Sequence, residues 1–163
     1  MERVRSKFNV NGFSIIVECW KNHLGVEFPH SRMRKTRNKK DVKLTMKRVC
    51  NALMRYFKFV INNGKTCVMN VPEGTSHERT RERLNVDNVE IEERSVRRVV
   101  IRLQKHEIKA TASVDGLNKL ILTFPDGINS DFTFGDLCRI IPKKFAFDPK
   151  YKRTRIVCIR DRS

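Results

Sequence analysis

Residues 8–19 read FNVNGFSIIVEC, and this stretch decides the first element of the fold. Apolar residues lie on both sides of Asn11-Gly12, the type of dipeptide that most often occupies the two central positions of a tight hairpin turn. Both positions of a type I′ turn need a positive φ, which Asn and Gly adopt more readily than other residues. We therefore predict two antiparallel strands joined at Asn11-Gly12.

Further strands are predicted downstream of this hairpin. The segments KTCVMNV, RRVVIRLQ, EIKATASV, LNKLILTF and TRIVCIRD resemble strands in composition, and Asp115-Gly116 is typical of a second hairpin turn. SHERTRERL and DFTFGDLCRII are predicted as short helices. This irregular mixture of strands and helices indicates an α+β fold with a mainly antiparallel sheet.

One long amphipathic helix is predicted to begin at Asp41 and to pack against that sheet. Apolar residues recur there at steps of three and four, which places them on one face of a helix. The stripe consists of Val42, Met46, Val49, Cys50, Leu53, Phe57, Val60 and Ile61, and Asn62-Asn63-Gly64 follows as a C-terminal stop. We expect a single domain over residues 1–163, in which the basic segment 28–40 forms either a mobile loop or the start of this helix.

The positive charge of the chain is concentrated in two segments. The 163 residues include 35 Lys or Arg against 18 Asp or Glu, a net charge of +17. Residues 28–71 hold twelve bases and one acid, and residues 137–163 hold nine bases and two acids, whereas residues 72–136 hold ten bases and twelve acids. Such local excess favours polyanions, with nucleic acid first and an anionic membrane second.

Both basic segments carry features of a phosphate-binding surface. The helix predicted after Asp41 has almost no acid to pair with its bases, and the fork of Arg suits phosphate. In the second segment Phe145 and Phe147 are expected to bury one face of a strand, whereas Tyr151 is expected to be exposed and to stack on an unpaired base. We predict nucleic-acid contacts by Arg32, Arg34, Lys35, Arg37, Lys39, Lys40, Lys43, Lys47, Arg55, Lys143, Lys144, Lys150, Tyr151, Lys152, Arg153 and Arg155.

No metal or cofactor site is expected. Cys19, His23 and His30 offer three nominal zinc ligands without a close fourth. The acids Glu90, Glu92 and Glu93 have no companion motif, and neither a phosphate-binding loop nor a dinucleotide-binding fingerprint is present. Five widely spaced cysteines without a C-x-x-C pair predict free thiols in a reducing, intracellular compartment, which is cytoplasmic, nuclear or nucleoid.

These features predict a non-enzymatic protein that binds DNA or RNA by backbone contacts, and we interpret it as a viral or phage accessory protein. Two alternatives stay open. His30 and His77 each lie among several Arg, a mixture that resembles small, metal-independent, toxin-like endoribonucleases over fewer than ten residues at each position. The second alternative is a basic interaction protein with an acidic protein partner. Neither a bilayer-spanning run nor a secretory signal is recognised, and an edge strand would permit a homodimer.

Overall fold

The computed structural model of the protein describes residues 2–31, 33–35, 41–53, 58–62, 66–70, 77–83, 96–102, 107–125 and 130–159. In chain order these residues form β1 (Glu2–Val10), β2 (Phe13–Trp20), β3 (His23–Glu27), β4 (Met33–Lys35), β5 (Asp41–Lys43), α1 (Met46–Leu53), β6 (Lys58–Asn62), β7 (Thr66–Asn70), β8 (His77–Arg83), β9 (Val96–Arg102), β10 (Glu107–Asp115), β11 (Lys119–Thr123), β12 (Ser130–Thr133), α2 (Phe134–Cys138), α3 (Ile141–Lys144), β13 (Phe145–Phe147) and β14 (Ile156–Cys158).

Seven strands form the main sheet, in the order β8-β1-β2-β3-β11-β10-β9, and every neighbouring pair is antiparallel. Smaller sheets are formed by β12, β6 and β7, by β13 and β14, and by β4 and β5. The helices in the described ranges are short. The broad prediction of a sheet-rich α+β fold with antiparallel pairing is therefore confirmed.

The first hairpin has the predicted turn. Asn11 and Gly12 both have positive φ, 52° and 84°, and β1 and β2 pair on either side of them. The side chain of Asn9 accepts a hydrogen bond from the N–H of Gly12 at 2.8 Å, which further fixes the turn. The second predicted turn is also confirmed, because β10 and β11 are joined through Gly116, where φ is 65°.

A strand absent from our sequence prediction, β3, follows another tight turn. Lys21 adopts a positive φ of 47°, and the side-chain amide of Asn22 donates to the carbonyl of Phe124. At the far end of β3, the N–H of Phe28 donates to the carbonyl of Asn118 at 2.8 Å, and the Asn118 amide donates back at 2.7 Å. Because β3 joins the first hairpin to β11, it also fixes where the basic segment begins.

One face of the main sheet carries the core of the protein. Side chains alternate along each strand, so that Phe13, Ile15 and Val17 of β2 are buried on this face. Val49 and Leu53 of α1 belong to the same buried cluster. Burying an aliphatic or aromatic side chain of this size contributes about 1.5–3 kcal/mol. The core also fixes the register, because a slip of one residue would turn every core side chain to the opposite face.

The prediction of one long helix is wrong. The described helix covers eight residues, Met46–Leu53, and the strands β5 and β6 come before and after it in the chain. It begins after Thr45, whose Oγ1 accepts the N–H of Arg48 at 3.2 Å in the manner of an N-cap. The apolar spacing continues beyond the helix, but Val60 and Ile61 belong to β6 and pair with β7 and β12. Their β-branched side chains favour a strand, and that preference prevails over the helical spacing.

The supposed helix stop lies between two strands. Asn62 ends β6 and pairs with Thr66 at the start of β7. An Asn-Gly pair between two antiparallel strands is typical of a hairpin. The predicted stop therefore does not follow a described helix: β6 ends at Asn62, and Asn63 and Gly64 lie outside the described residues.

The short helix predicted around residues 77–83 is also wrong, because these residues form β8 and pair with β1. In this register Glu78 lies opposite Lys7, and Glu82 lies opposite Arg3. Opposite charges at directly facing positions favour a strand pair. The predicted short helix near Pro142 is confirmed in part, since α2 covers residues 134–138 after the strand β12.

A buried ion cluster lies on the other face of the main sheet. The side chain of Glu18 is 2% exposed, and its oxygens lie 2.9 Å from Arg5 Nε and 2.7 Å from Lys119 Nζ. Lys119 Nζ also lies 5.4 Å from the centroid of the Trp20 ring. A Cβ at Gly25 would stand 3.1 Å from the Trp20 ring and 3.2 Å from the Lys119 side chain. The missing side chain at Gly25 therefore allows the ring and the lysine to meet above the sheet.

His23 is a half-buried imidazole on this second face, and we expect it to make stability depend on pH. Its ring centroid lies 5.2 Å from that of Trp20, and its Nδ1 lies 2.9 Å from Thr123 Oγ1. Burial, and after it the charge of Lys21, lowers the pKa of His23 from 6.5. The folded state thus favours the neutral ring, so this contribution to stability is complete above pH 6.5 and is lost as the pH falls through the lowered folded-state pKa.

The expected result is that the free energy of unfolding decreases in acid less steeply for His23→Gln than for the wild type. Urea denaturation at a series of pH values between about 7 and 5 measures both curves. An NMR titration of the His23 ring gives its pKa directly, and a value at or above 6.5 would contradict the prediction.

Candidate nucleic-acid interface

Most of the exposed cations of the second basic segment lie on the loop between β13 and β14, which backbone hydrogen bonds hold in place. Phe145 and Phe147 are buried, as predicted, and they anchor its start. The N–H of Asp148 donates to the carbonyl of Arg155 at 2.8 Å, which closes the loop. The Asp148 carboxylate accepts the N–H of Lys150 at 3.0 Å, a local turn bond. Lysine and arginine side chains of this loop are thereby held at the surface.

The structure brings the start of the first basic segment against this loop. The N–H of Thr154 donates to the carbonyl of His30 at 2.7 Å, and Ser31 and Arg153 form an isolated antiparallel bridge. Beneath them the rings of Phe28 and Phe147 meet edge to face, with centroids 5.1 Å apart. Two segments that are far apart in sequence are thus joined by backbone hydrogen bonds and by buried aromatic packing.

Helix α1 adds further cations beside this junction. It packs against α3 and contacts β13, and Met46 at its start lines a cavity together with Phe147 and Pro149. Lys47 and Arg48 are exposed on α1, and Lys43 is exposed at the end of β5. We call the exposed cations of these elements the basic surface; it comprises Lys43, Lys47, Arg48, Lys143, Lys150, Lys152, Arg153 and Arg155.

Carboxylates do not neutralise the basic surface within the described ranges. Ion pairs between described residues join Glu18 to Arg5 and Lys119, and Glu107 to Arg102, and these residues lie on the main sheet. The acid nearest in sequence to the loop cations, Asp148, is engaged with the backbone. Because like charges repel, a surface of this kind favours binding of an anion.

Nine of the predicted contact residues have described side chains. Lys144 is half-buried, and the other eight are exposed: Lys43, Lys47, Lys143, Lys150, Tyr151, Lys152, Arg153 and Arg155. Arg34 and Lys35 lie on β4, where the structure describes the backbone pairing with β5. Arg32, Arg37, Lys39, Lys40 and Arg55 lie outside the described residues. Arg48 was not among the predicted contact residues, although the sequence already places it off the apolar stripe with Lys43 and Lys47, and it is exposed.

An open cavity adjoins the basic surface. It measures about 210 Å³ and is lined by Lys43, Leu44, Thr45, Met46, Ala146, Phe147 and Pro149. Tyr151 follows Pro149 by two residues and is 48% exposed, and Arg155 Cζ lies 5.2 Å from the centroid of its ring. Sequence patterns do not indicate this cavity, because its two walls come from segments that meet only in the folded protein.

The residues considered for metal or catalytic chemistry are dispersed. Cys19 faces the core and His23 lies on the opposite face of the sheet, since Cys19 pairs with Leu24 and not with His23. No group of three His, Cys, Asp or Glu in the described ranges could hold a metal ion. His77 lies on β8, whereas His30 follows β3, and β1 and β2 separate these strands. Glu90, Glu92 and Glu93 lie outside the described residues.

The cysteines that the structure describes are free thiols. Cys19, Cys50 and Cys138 are buried, and Cys158 is half-buried. Cys138 donates to the carbonyl of Cys50 at 2.8 Å, and burial, followed by this neighbour, raises the pKa of the Cys138 thiol. A thiol held protonated in the core is a poor nucleophile and a poor metal ligand.

No family model, no curated protein and no solved structure matches the chain. None of the helices in the described ranges has the length and apolar character that crossing a membrane requires. A functional proposal therefore depends on the charge, exposure and contacts of the residues described above.

Proposed function

We propose that this protein binds nucleic acid, DNA or RNA, through phosphate-backbone contacts, with little sequence specificity and without catalysis. The basic surface provides the contacts. Each phosphate that it neutralises releases condensed counterions, and this release supplies most of the free energy of non-specific binding. Arginines of the surface can also donate two parallel hydrogen bonds to one phosphate.

The observation that carries the proposal is the junction between the two basic segments. The 2.7 Å hydrogen bond from Thr154 joins His30, at the start of the first segment, to the loop that carries Lys150, Lys152 and Arg153. Exposed cations without carboxylate partners attract a polyanion, and a bound anion offsets the repulsion among them. A nucleic acid offers phosphates at regular spacing and can engage several of these cations at once.

Binding is expected to depend steeply on salt. If four phosphates are contacted, log K should fall with log salt with a slope of about −3 to −4. Fluorescence anisotropy of a labelled oligonucleotide of about 12 nucleotides, titrated at several salt concentrations, measures this slope. Oligonucleotides of scrambled sequence should bind within a few-fold of one another, because backbone contacts carry no sequence information.

The same titration separates the other partners. Vesicles with anionic lipids and a polyglutamate chain serve as competitors of comparable negative charge. If either competitor displaces the oligonucleotide at a lower charge concentration than unlabelled nucleic acid does, the proposal is wrong. Cleavage of structured RNA in EDTA, lost in His30→Ala or His77→Ala, would replace it with the endoribonuclease alternative.

A further inference from the structure

We propose that the cavity beside the basic surface receives one unpaired base of a bound single strand, and that Tyr151 stacks on a neighbouring base. This inference rests on the proposed function and specifies its substrate as single-stranded nucleic acid.

The size of the cavity limits what it can hold. Its volume of about 210 Å³ lies below the range of about 300–1,000 Å³ that is usual for drug-sized ligands and cofactors. A dinucleotide is therefore too large, whereas a single flat ring system is small enough. In a nucleic acid, an unpaired base can turn out of the stack and enter such a site.

The lining of the cavity suits a base. Leu44, Met46 and Phe147 are buried side chains that offer an apolar floor, and Ala146 and Pro149 complete the wall on the side of β13. Thr45 provides a hydroxyl that already accepts the N–H of Arg48 at 3.2 Å and can still donate. This mixture of apolar walls and one polar group is typical of small-molecule sites.

The charge at the rim suits the phosphates on either side of that base. Lys43 lines the cavity and is exposed, and Lys47 and Lys150 are exposed close to it in the chain. None of these three side chains forms an ion pair within the described ranges. With a base in the cavity, the phosphates on either side of that base would lie next to these lysines. The positive charge of the rim would then be complementary to the negative charge of the strand.

Tyr151 provides a second position for a base. It lies two residues after Pro149, so the two Cα atoms are at most about 7.6 Å apart. The residue is 48% exposed, and Arg155 Cζ lies 5.2 Å from the centroid of its ring. An aromatic ring beside a guanidinium is a sequence-tolerant platform for stacking. In a duplex the bases are paired and stacked on one another, so neither position could be used.

The experiment compares labelled nucleic acids whose strands are about 12 nucleotides long. One strand has bases, one has abasic sugars throughout, and one is paired in a duplex; each is made as DNA and as RNA. The abasic strand carries the same phosphates as the single strand with bases, and the duplex carries twice as many. Anisotropy is expected to show that the abasic strand and the duplex bind at least about tenfold more weakly than the single strand. The salt slope of the abasic strand should equal that of the strand with bases, because their phosphates are the same.

Two variants test whether the preference for a strand with bases comes from the cavity and from Tyr151. Ala146→Leu fills the cavity, and Tyr151→Ala removes the exposed ring; each should reduce the preference for bases about tenfold. Tyr151→Phe keeps the ring and should retain the preference. Tyr151 is exposed, so its replacement tests the site even if Ala146→Leu impairs folding.

The possible failures are distinguishable. Equal binding of the abasic strand and the strand with bases would overturn the base-binding inference and leave backbone binding intact. A preference for bases that neither variant reduces would place base recognition elsewhere and would also overturn it. No binding of any strand would overturn both the inference and the proposed function.

Discussion

Reversing one charge in each basic segment, with Lys47→Glu and Lys150→Glu, is expected to weaken nucleic-acid binding by about 100-fold. A hydrogen bond to a charged group contributes roughly 1.5–3 kcal/mol, which is about tenfold or more in affinity for each lost contact. Each glutamate also repels the strand. Both lysines are exposed and lie outside the buried cluster, so the fold should persist.

A matched double reversal, Arg98→Glu and Lys109→Glu, tests whether position or total charge matters. These residues are exposed on β9 and β10, each next to a buried core residue, so they lie on the opposite face of the main sheet. The net charge changes by the same amount in both variants. We expect the control to bind within a few-fold of the wild type, because neither residue belongs to the basic surface that is proposed to contact the phosphates.

Anisotropy titrations at several salt concentrations measure both variants. The slope of log K against log salt should become shallower by about two for the basic-surface variant and stay unchanged for the control. Equal losses of affinity in the two variants would mean that total charge, and not this surface, determines binding. Urea midpoints equal to that of the wild type exclude unfolding as the cause.

The hairpin turns of the sheet could be predicted from the sequence where the backbone conformation of the turn requires a particular type of residue. Asn11-Gly12 and Gly116 mark turns that need positive φ, and these positions hold the residues that adopt it most readily. The turn at Lys21 escaped prediction because lysine rarely adopts that conformation, and here bonds made by Asn22 to a distant strand hold the turn in place. Tertiary contacts of this kind leave no trace in a short window of sequence.

The long helix failed for a different physical reason. Apolar spacing by three and four can continue past the end of a short helix into a strand, because the spacing does not show where the backbone changes conformation. Thr45 starts the helix, and β-branched residues of β6 pair with β7 and β12. Pairing with β7 and β12 adds to the strand preference of Val60 and Ile61, and spacing alone carries no information about these partners.

For the site, sequence identified the cations but not their arrangement. Charge counts are properties of composition, so the two basic segments could be recognised directly. Their contact through Ser31 and Arg153 depends on how β3 and the loop after β13 leave the core. The cavity is harder still to predict from the sequence, because its walls form only when α1 and β13 pack together.

Replacing Glu18 with leucine is expected to lower the free energy of unfolding by about 3–5 kcal/mol, which is a large part of the about 5–15 kcal/mol typical of a domain. The side chain is 2% exposed and contacts both Arg5 and Lys119, whose side chains are 29% and 15% exposed. Without the carboxylate, two cations would remain close together and largely out of water. Breaking a buried pair by removing one partner leaves an uncompensated charge, and this is its main cost.

Removing the lysine as well should recover part of that loss. Lys119→Met keeps a straight apolar chain against Trp20 and above Gly25, but it removes the ammonium. A buried pair replaced by apolar residues of similar size is often neutral in stability. We therefore expect Glu18→Leu/Lys119→Met to be more stable than Glu18→Leu alone, with a coupling energy above about 1 kcal/mol.

The control is the exposed ion pair of Glu107 and Arg102 on the same sheet. Glu107 Oε1 lies 3.6 Å from Arg102 Nε, and the two side chains are 51% and 82% exposed. Water screens this pair, so Glu107→Gln should change stability by less than about 1 kcal/mol. Urea denaturation of the four variants and the wild type measures these differences. If Glu18→Leu were no more costly than Glu107→Gln, the carboxylate of Glu18 would not be buried between two cations, and the close approach of Trp20 and Lys119 over Gly25 would need another explanation.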